Sequence, residues 1–359
     1  MQIGIVGLPF SGKSTLFDTL LAHKSTDDSH KHKSEAERGV VKVPDERLNK
    51  LTEMFNPKKQ VNATIEYIKV PGIEGQKGNA LPPQFLSNIK YVDTILLMIR
   101  YFENDMYPHP LQSVDPLRDI NFINSEILFH DLATVENRIE KLDKLVMKTQ
   151  NEKEKRELKI LQKCHAHLEQ EKPLRELEID DHEELLIRGF QFITIKPILY
   201  VVNINESDIG KSDQIVNEFQ NITTPGTKLT ALSAEIEKEI SQLNEEDAEV
   251  FLEDLGISIP ATQKMISESY ELMGLQSFFT VGDDECRSWP IKKGTNAQKA
   301  AGEIHTDLEK GFIRAEVASY DDLMQYGSLS ACKDKGVLRL EGKEYIVKDG
   351  DILNIRFNV

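Results

Sequence analysis

The run Gly7-Leu-Pro-Phe-Ser-Gly-Lys-Ser-Thr15 follows directly on the apolar segment Ile3-Gly4-Ile5-Val6, and no other stretch of the chain narrows its fold as much. Gly7, Gly12, Lys13 and Ser14 stand at the spacing G-x-x-x-x-G-K-[ST], a phosphate-binding loop between a strand and a helix. Its glycines let the backbone curl until successive N–H groups point at phosphate oxygens. Lys13 suits the β- and γ-phosphates of a nucleotide, and the Ser14 hydroxyl suits Mg²⁺. Downstream, Leu16, Phe17, Leu20 and Leu21 recur at helical spacing. An anion held by the loop therefore meets a helix N-terminus, where orphan N–H donors and the macrodipole favour negative charge. A Gly-rich turn without a ligand would not need this strand–loop–helix context.

At 359 residues the chain has room for two to three domains. The hydrophobic share is 39%, the charged share 29%, and no window approaches 18 consecutive apolar residues, so a transmembrane helix is not expected. The strand and loop at the very start leave no room for a signal or transit segment, and a cytoplasmic location is expected. Cys164, Cys286 and Cys332 are far apart and form no C-x-x-C pair, which suits reduced thiols rather than a zinc site. A net charge of -16 disfavours broad binding to nucleic acid, so any such contact needs a local basic face.

Strand-like runs alternate with amphipathic segments through the first half, the pattern of a mostly parallel α/β sheet. Ile3–Val6, Ala63–Val70, Thr94–Ile99 and Ile198–Val202 are the candidate core strands. Several contain consecutive apolar residues, as a strand covered on both faces should. Ser25–Glu37 is polar and aperiodic, and reads as a mobile loop. From about residue 120 to 185 the alternation stops. Leu128, Leu132, Val135, Ile139, Leu142 and Val146 step as a coiled-coil seam, and after a charged break at Gln150–Lys155 a second stripe runs through Leu158, Leu161 and Leu168. These features predict an antiparallel helical hairpin, either an arm that reaches a large partner or a pair that packs on its own domain. The tail from about 278 predicts a helix over Lys299–Phe312, a hairpin of Gly336–Leu340 with Tyr345–Val347 around Glu341-Gly342-Lys343, and a strand Ile352–Phe357. Together they describe a small α+β module of ubiquitin-like shape, with no catalytic grouping visible in it.

The loop after a later strand should read the base, since ligands of such sheets sit at the strands' carboxyl ends. After Leu199–Val202 comes Asn203-Ile204-Asn205-Glu206. A guanine-specific enzyme would carry Asn-Lys-x-Asp here, its aspartate accepting the N1 and N2 hydrogens that adenine lacks. Glu206 in that place, and Ile204 instead of the stacking lysine, spoil the guanine clamp. Asn203 and Glu206 would then frame the base and Ile204 would pack on it. Ser233 and Ala234, after the strand-like Lys228–Thr230, suit the next base-contacting loop.

Taken in order, Gly7–Thr15, Gln84–Ile89, Arg100–Asp105, Asn203–Glu206, Lys310–Ala315 and Tyr345–Asp351 resemble the YchF/Obg-like ATPase family across essentially the whole chain. The resemblance implies an OBG-type G domain over 1–120 and 186–277, a coiled-coil insertion over 121–185 and a TGS domain of β-grasp fold over 278–359. It further implies that ATP is preferred over GTP, that hydrolysis is slow and Mg²⁺-dependent, and that the protein associates with the ribosome. Phe10, Ser11, Gly12, Lys13, Ser14 and Thr15 would hold the phosphates. The family replaces the water-orienting glutamine after D-x-x-G with a hydrophobic residue, here Ile73, and the position matching its substitute histidine is His109.

Three departures from the family pattern bear on the chemistry. Ile68-Lys69-Val70-Pro71-Gly72 carries Lys69 where D-x-x-G has its metal-anchoring aspartate. An ammonium there repels Mg²⁺, and Lys69 either reaches the γ-phosphate in its stead or turns into solvent. The switch-I metal threonine is also missing: counting forward from the loop gives Ser34 and counting back from Gly39 gives Lys33, so Ser34 is the only hydroxyl available as a second metal ligand. Phe10-Ser11 replaces the usual Asn-Val, and the bulky ring could cover the phosphates or the switch segments. Two functions stay open on these grounds: a slow ATPase, and a nucleotide-dependent binding switch with little hydrolysis. A GTPase is disfavoured by Asn203–Glu206.

Overall fold

The computed structural model describes residues 1–22, 37–71, 81–149 and 151–358. The chain divides into two compact units, Met1–Val40 with Glu66–Met265, and Val41–Ile65 with Ile266–Val359. The second unit thus takes in residues 41–65, which the sequence places inside the first domain. Helix Glu46–Phe55 explains this, because Leu48 and Leu51 share an apolar cluster with Phe279, Leu323 and Ile352.

The sheet of the first unit contains β1 (Gln2–Gly7), β2 (Glu37–Lys42), β4 (Thr64–Lys69), β5 (Thr94–Arg100), β6 (Ile198–Asn203) and β7 (Thr227–Leu232), in the spatial order β2-β4-β1-β5-β6-β7. β1 lies parallel to both β4 and β5, and β5–β6 and β6–β7 are parallel as well. Every residue of β5 and of β6 is buried, as strands covered on both faces must be. Parallel pairing aligns the carboxyl ends of β1 and β6, so the loops that follow them, at Gly7 and Asn203, open on the same side of the sheet.

The helical insertion is a 34-residue helix, Pro116–Thr149, and a 17-residue helix, Glu152–Leu168. At 1.5 Å per residue the first is about 50 Å long. Its first turns, through Ile120, Ile123 and Ile127, belong to the core of the nucleotide-binding sheet. Farther along, Leu128, Val135 and Leu142 bury against Ile160, Leu161, Cys164 and Leu168, with Leu132, Ile139 and Leu158 partly buried beside them. The break is shorter than the charged run Gln150–Lys155 suggests: Asn151 accepts a hydrogen bond from the Lys153 N–H at 2.9 Å and starts the second helix at Glu152. Arg138 and Glu157 pair across the two helices at 2.7 Å. At the root, the buried Asp131 accepts both the backbone N–H and the hydroxyl of Thr194. Burial pushes the Cys164 thiol up to about 11, which keeps it protonated inside this seam.

The second unit has β3 (Lys59–Val61), β8 (Leu275–Thr280), β9 (Glu285–Lys292), β10 (Phe312–Ser319), β11 (Arg339–Glu341) and β12 (Asp351–Phe357), in the order β11-β10-β12-β8-β9-β3. Helix Ala297–Ile304 packs Ala297, Ala300 and Ala301 with Phe278, Ala315 and Leu353, which makes this the β-grasp module.

Two sequence expectations fail in this module. The helix over 299–312 is broken at His305, whose backbone is extended and whose Nδ1 accepts the Asp307 N–H at 3.2 Å. The helix restarts there as Thr306–Lys310, Gly311 ends it, and Phe312 opens β10. The hairpin of 336–340 with 345–347 does not form. Gly336, at φ 73°, closes helix Leu329–Asp334 instead, and β11 pairs with β10, Leu340 opposite Glu316. Val347 donates to the Thr295 carbonyl and the Tyr345 hydroxyl to Asp351, so that segment is occupied elsewhere. Among the described residues no helix is long and apolar enough to cross a membrane.

Candidate functional site

The phosphate loop is shaped by what surrounds it. A Cβ on Gly7 would stand 2.4 Å from the Met98 carbonyl, and one on Gly12 would stand 2.2 Å from the Asn203 amide nitrogen, with Gly12 at φ 98°. Both positions exclude any side chain, which is the reason the motif needs glycine at these two places. Lys13 is buried and donates to the carbonyls of Gly7 at 2.9 Å and Leu8 at 2.7 Å. Ser14 is exposed at the first turn of helix Lys13–Ala22, and the half-buried Thr15 presents its carbonyl to the Thr19 hydroxyl. Leu16, Phe17 and Leu20 anchor the other face of this helix in the core.

Asn203 ties the site together. Its Nδ2 donates to the Ser11 carbonyl at 3.0 Å, and its Oδ1 accepts the Ala234 N–H at 3.0 Å. One buried amide at the end of β6 therefore holds the phosphate loop and the start of helix Ala234–Gln242 at once. Ser233 is the cap residue of that helix and is buried, as is Ala234. Glu206 stands exposed at the start of the short helix Glu206–Lys211. Ile204 departs from its expected role. Its side chain is 2% exposed and packs with Val202, Ile215 and Ala231 in the core, so it offers no surface for a base to pack on.

Lys69 takes neither of the two courses open to it from sequence. Its Nζ lies 2.7 Å from Glu37 Oε1 and 5.4 Å from the centroid of the Phe17 ring. The ammonium is thus held between β2 and the phosphate-loop helix. Ser34, Lys33, Gly72 and Ile73 lie outside the described residues. Among the described residues no cluster of three His, Cys, Asp or Glu side chains exists that could hold a metal. Ser14 is the one described candidate ligand, and Lys69 replaces the nearby carboxylate. This donor set does not fit a resident Mg²⁺ ion; it fits only an ion already carried by phosphate oxygens.

His109 is not a free loop residue. Its side chain is 1% exposed, with Nε2 2.9 Å from Asp119 Oδ2 but off the hydrogen-bond direction. Nδ1 accepts the Leu111 N–H at 3.2 Å and faces Arg118 Nη2 at 3.5 Å, which assigns the proton of the neutral ring to Nε2. Burial lowers the His109 pKa, Asp119 opposes that shift, and Arg118 and Arg100 add to it. The imidazole is therefore neutral at pH 7, with both nitrogens already turned toward protein groups. Arg118 fixes Asp119 from the other side, at 2.8 Å. Asp119, Arg118 and Glu37 had no signal in the sequence, because only the fold brings them to His109 and Lys69.

Phe10 has Tyr107 as its aromatic neighbour among the described residues, and the switch segments it could also meet lie outside them. Its backbone lies at φ 61° and its ring packs on Tyr107 at 5.5 Å, both rings about half exposed.

Residues 2–203 match a family model described as "50S ribosome-binding GTPase", and residues 275–358 match the YchF-GTPase C-terminal model, described as "Protein of unknown function (DUF933)". The chain is 40% identical to the ribosome-binding ATPase YchF of Bacillus subtilis (strain 168) over 365 positions, covering 100% of both. It is 38% identical to the protein of the same description from Escherichia coli O157:H7, covering 100% of this chain and 99% of the other. The solved structure of the Schizosaccharomyces pombe YchF GTPase superposes with a TM-score of 0.89 at 32% identity, over 99% of this chain and 97% of that one.

Proposed function

Because this chain belongs to the YchF family of P-loop nucleotide hydrolases, we propose that it is a ribosome-associated ATPase that prefers ATP to GTP and turns it over slowly. The observation that carries the reading is Asn203, whose amide joins the phosphate loop to the base-side loop with Glu206 three residues on.

Binding follows from the loop. The N–H groups around Gly12–Thr15 and the start of helix Lys13–Ala22 receive the phosphates. Lys13 exchanges the carbonyls of Gly7 and Leu8 for phosphate oxygens. At the base, a carboxylate one methylene longer than aspartate sits where guanine recognition needs the shorter residue, and Ile204 is committed to the core. Both features favour adenine by removing what guanine requires. The Ser14 hydroxyl is the group that would meet a Mg²⁺ ion carried in by the phosphates, and such an ion would supply charge neutralisation there. His109 orients the attacking water once the segment that carries it lets go of Asp119 and the Leu111 N–H. The need for that release, with the ammonium of Lys69, makes turnover slow. Ribosome association is carried over from relatives whose descriptions state it.

Calorimetric titration with non-hydrolysable ATP and GTP analogues, with and without Mg²⁺, tests the base preference. Tight binding of the GTP analogue with none of the ATP analogue overturns it. Phosphate release by wild type and His109→Ala tests the chemistry, and equal rates remove His109 from it. A second reading, a nucleotide-dependent switch with little hydrolysis, is favoured by one observation, the Lys69–Glu37 ion pair at the place of the metal anchor.

A further inference from the structure

Phe10 occupies a backbone conformation that suits it badly. At φ 61° it lies in the left-handed region, which Asn and Gly adopt readily and aromatic residues avoid. Such strain persists where the surroundings hold it in place. Phe10 is 53% exposed, and its aromatic neighbour among the described residues is Tyr107, with centroids 5.5 Å apart and planes inclined by 34°. Tyr107 in turn belongs to a segment that other groups have shaped. Asn104 Oδ1 accepts the Met106 and Tyr107 N–H groups, and the buried Arg100 donates from Nη1 to the Tyr107 carbonyl at 2.8 Å and from Nε to the Phe102 carbonyl at 2.9 Å. Two residues beyond Tyr107 is His109. On the inner side, a small cavity beneath the phosphate loop is lined by Ser11, Arg100 and Asp119, so the carboxylate that faces His109 also borders the loop residue next to Phe10.

We infer that Phe10 and Tyr107 are positioning residues: their ring contact clasps the segment 102–113 to the phosphate loop and keeps His109 in its buried arrangement against Asp119. The clasp makes the placement of His109 depend on the conformation of the phosphate loop, because a shift at position 10 moves the ring on which Tyr107 rests. This inference deepens the hydrolytic reading above and rests on it for its consequence for turnover, but the clasp itself is a structural claim that can be tested separately.

The test is hydrogen exchange of backbone amides in 102–113 on the full-length chain, for wild type, Phe10→Asn, Tyr107→Ala and Tyr107→Phe, paired with steady-state ATP turnover. Phe10→Asn removes the ring while relieving the backbone, so a loosened segment cannot be blamed on a damaged loop. Losing an aromatic pair of this kind should raise segment opening roughly two- to tenfold. Expected are faster exchange of about that factor in Phe10→Asn and Tyr107→Ala, wild-type exchange in Tyr107→Phe, and a comparable rise in kcat for Tyr107→Ala at unchanged KM. That rise should vanish when His109→Ala is added. Unchanged exchange in both Phe10→Asn and Tyr107→Ala overturns the clasp. Faster exchange with turnover indifferent to His109→Ala supports the clasp and instead overturns the role of His109 in hydrolysis.

Discussion

Replacing Lys69 with aspartate restores the residue that D-x-x-G loops use to anchor a metal, and the structure says what that does. In the wild type the ammonium is 2.7 Å from Glu37, with the two side chains 19% and 53% exposed, and it lies 5.4 Å from the Phe17 ring centroid. A half-exposed ion pair contributes up to about 1 kcal/mol, and the cation–ring contact about 0.5–1 kcal/mol. Lys69→Asp removes both and leaves a second carboxylate near Glu37, a repulsion no larger than the lost pair. Without divalent cation the nucleotide-binding unit should therefore lose roughly 1–3 kcal/mol, a fall in melting temperature of about 2–12 °C for a unit of this size. Mg²⁺ reverses the sign. A carboxylate at position 69 adds a hard oxygen donor to this side of the site, and a cation at 100 times its dissociation constant returns about 2.7 kcal/mol. Thermal melts with and without Mg²⁺ read the first effect, and calorimetry of an ATP analogue over a Mg²⁺ series reads the second. Lys69→Gln is the control: it loses the pair and gains no response to Mg²⁺. If Lys69→Asp binds the analogue with the same Mg²⁺ dependence as wild type, the ammonium is not what sets metal affinity at this site, and the reasoning fails.

Other positions give equally direct tests. Asn203→Ala orphans the Ser11 carbonyl and the Ala234 N–H; the variant should be about 2–4 kcal/mol less stable by urea unfolding and at least about tenfold weaker for ATP analogue. His109 has its pKa lowered from 6.5 by burial, so protonation favours the unfolded chain. Its contribution to stability is complete above pH 6.5 and is lost as the pH falls through the lower folded-state value, and His109→Gln should show a shallower acid slope in urea midpoints than wild type. Leu161→Ala empties a fully buried place in the helical hairpin, with an expected loss of about 2–5 kcal/mol seen as a lower urea midpoint at unchanged slope.

The parts of this molecule that could be read from sequence are those whose signals are local. The loop Gly7–Thr15 has fixed spacing, several core strands carry consecutive apolar residues, and the Leu128–Val146 stripe has its own period. The hidden parts depend on groups far apart in the chain. Glu37 reaches Lys69 only after β2 joins the sheet, and Asp119 meets His109 because the long helix begins where the loop turns back. Ile204 is buried against the sequence expectation, because an apolar residue in a loop motif carries no mark of the core beneath it. His305 defeated the helix expectation because a histidine that caps a helix has the same letter as one inside it.

Asn203 also shapes how a chain of this kind can change. A side chain that carries both the phosphate loop and the neighbouring helix cannot be altered to retune base choice without loosening the grip on phosphate. Glu206, three residues away and exposed, is under no such obligation. On the proposed reading, the loop thus keeps what it grips apart from what it reads. On the same reading, substitution at position 206 can vary the base side while the machinery that holds any triphosphate stays intact, whereas full guanine recognition would also need position 204 released from the core.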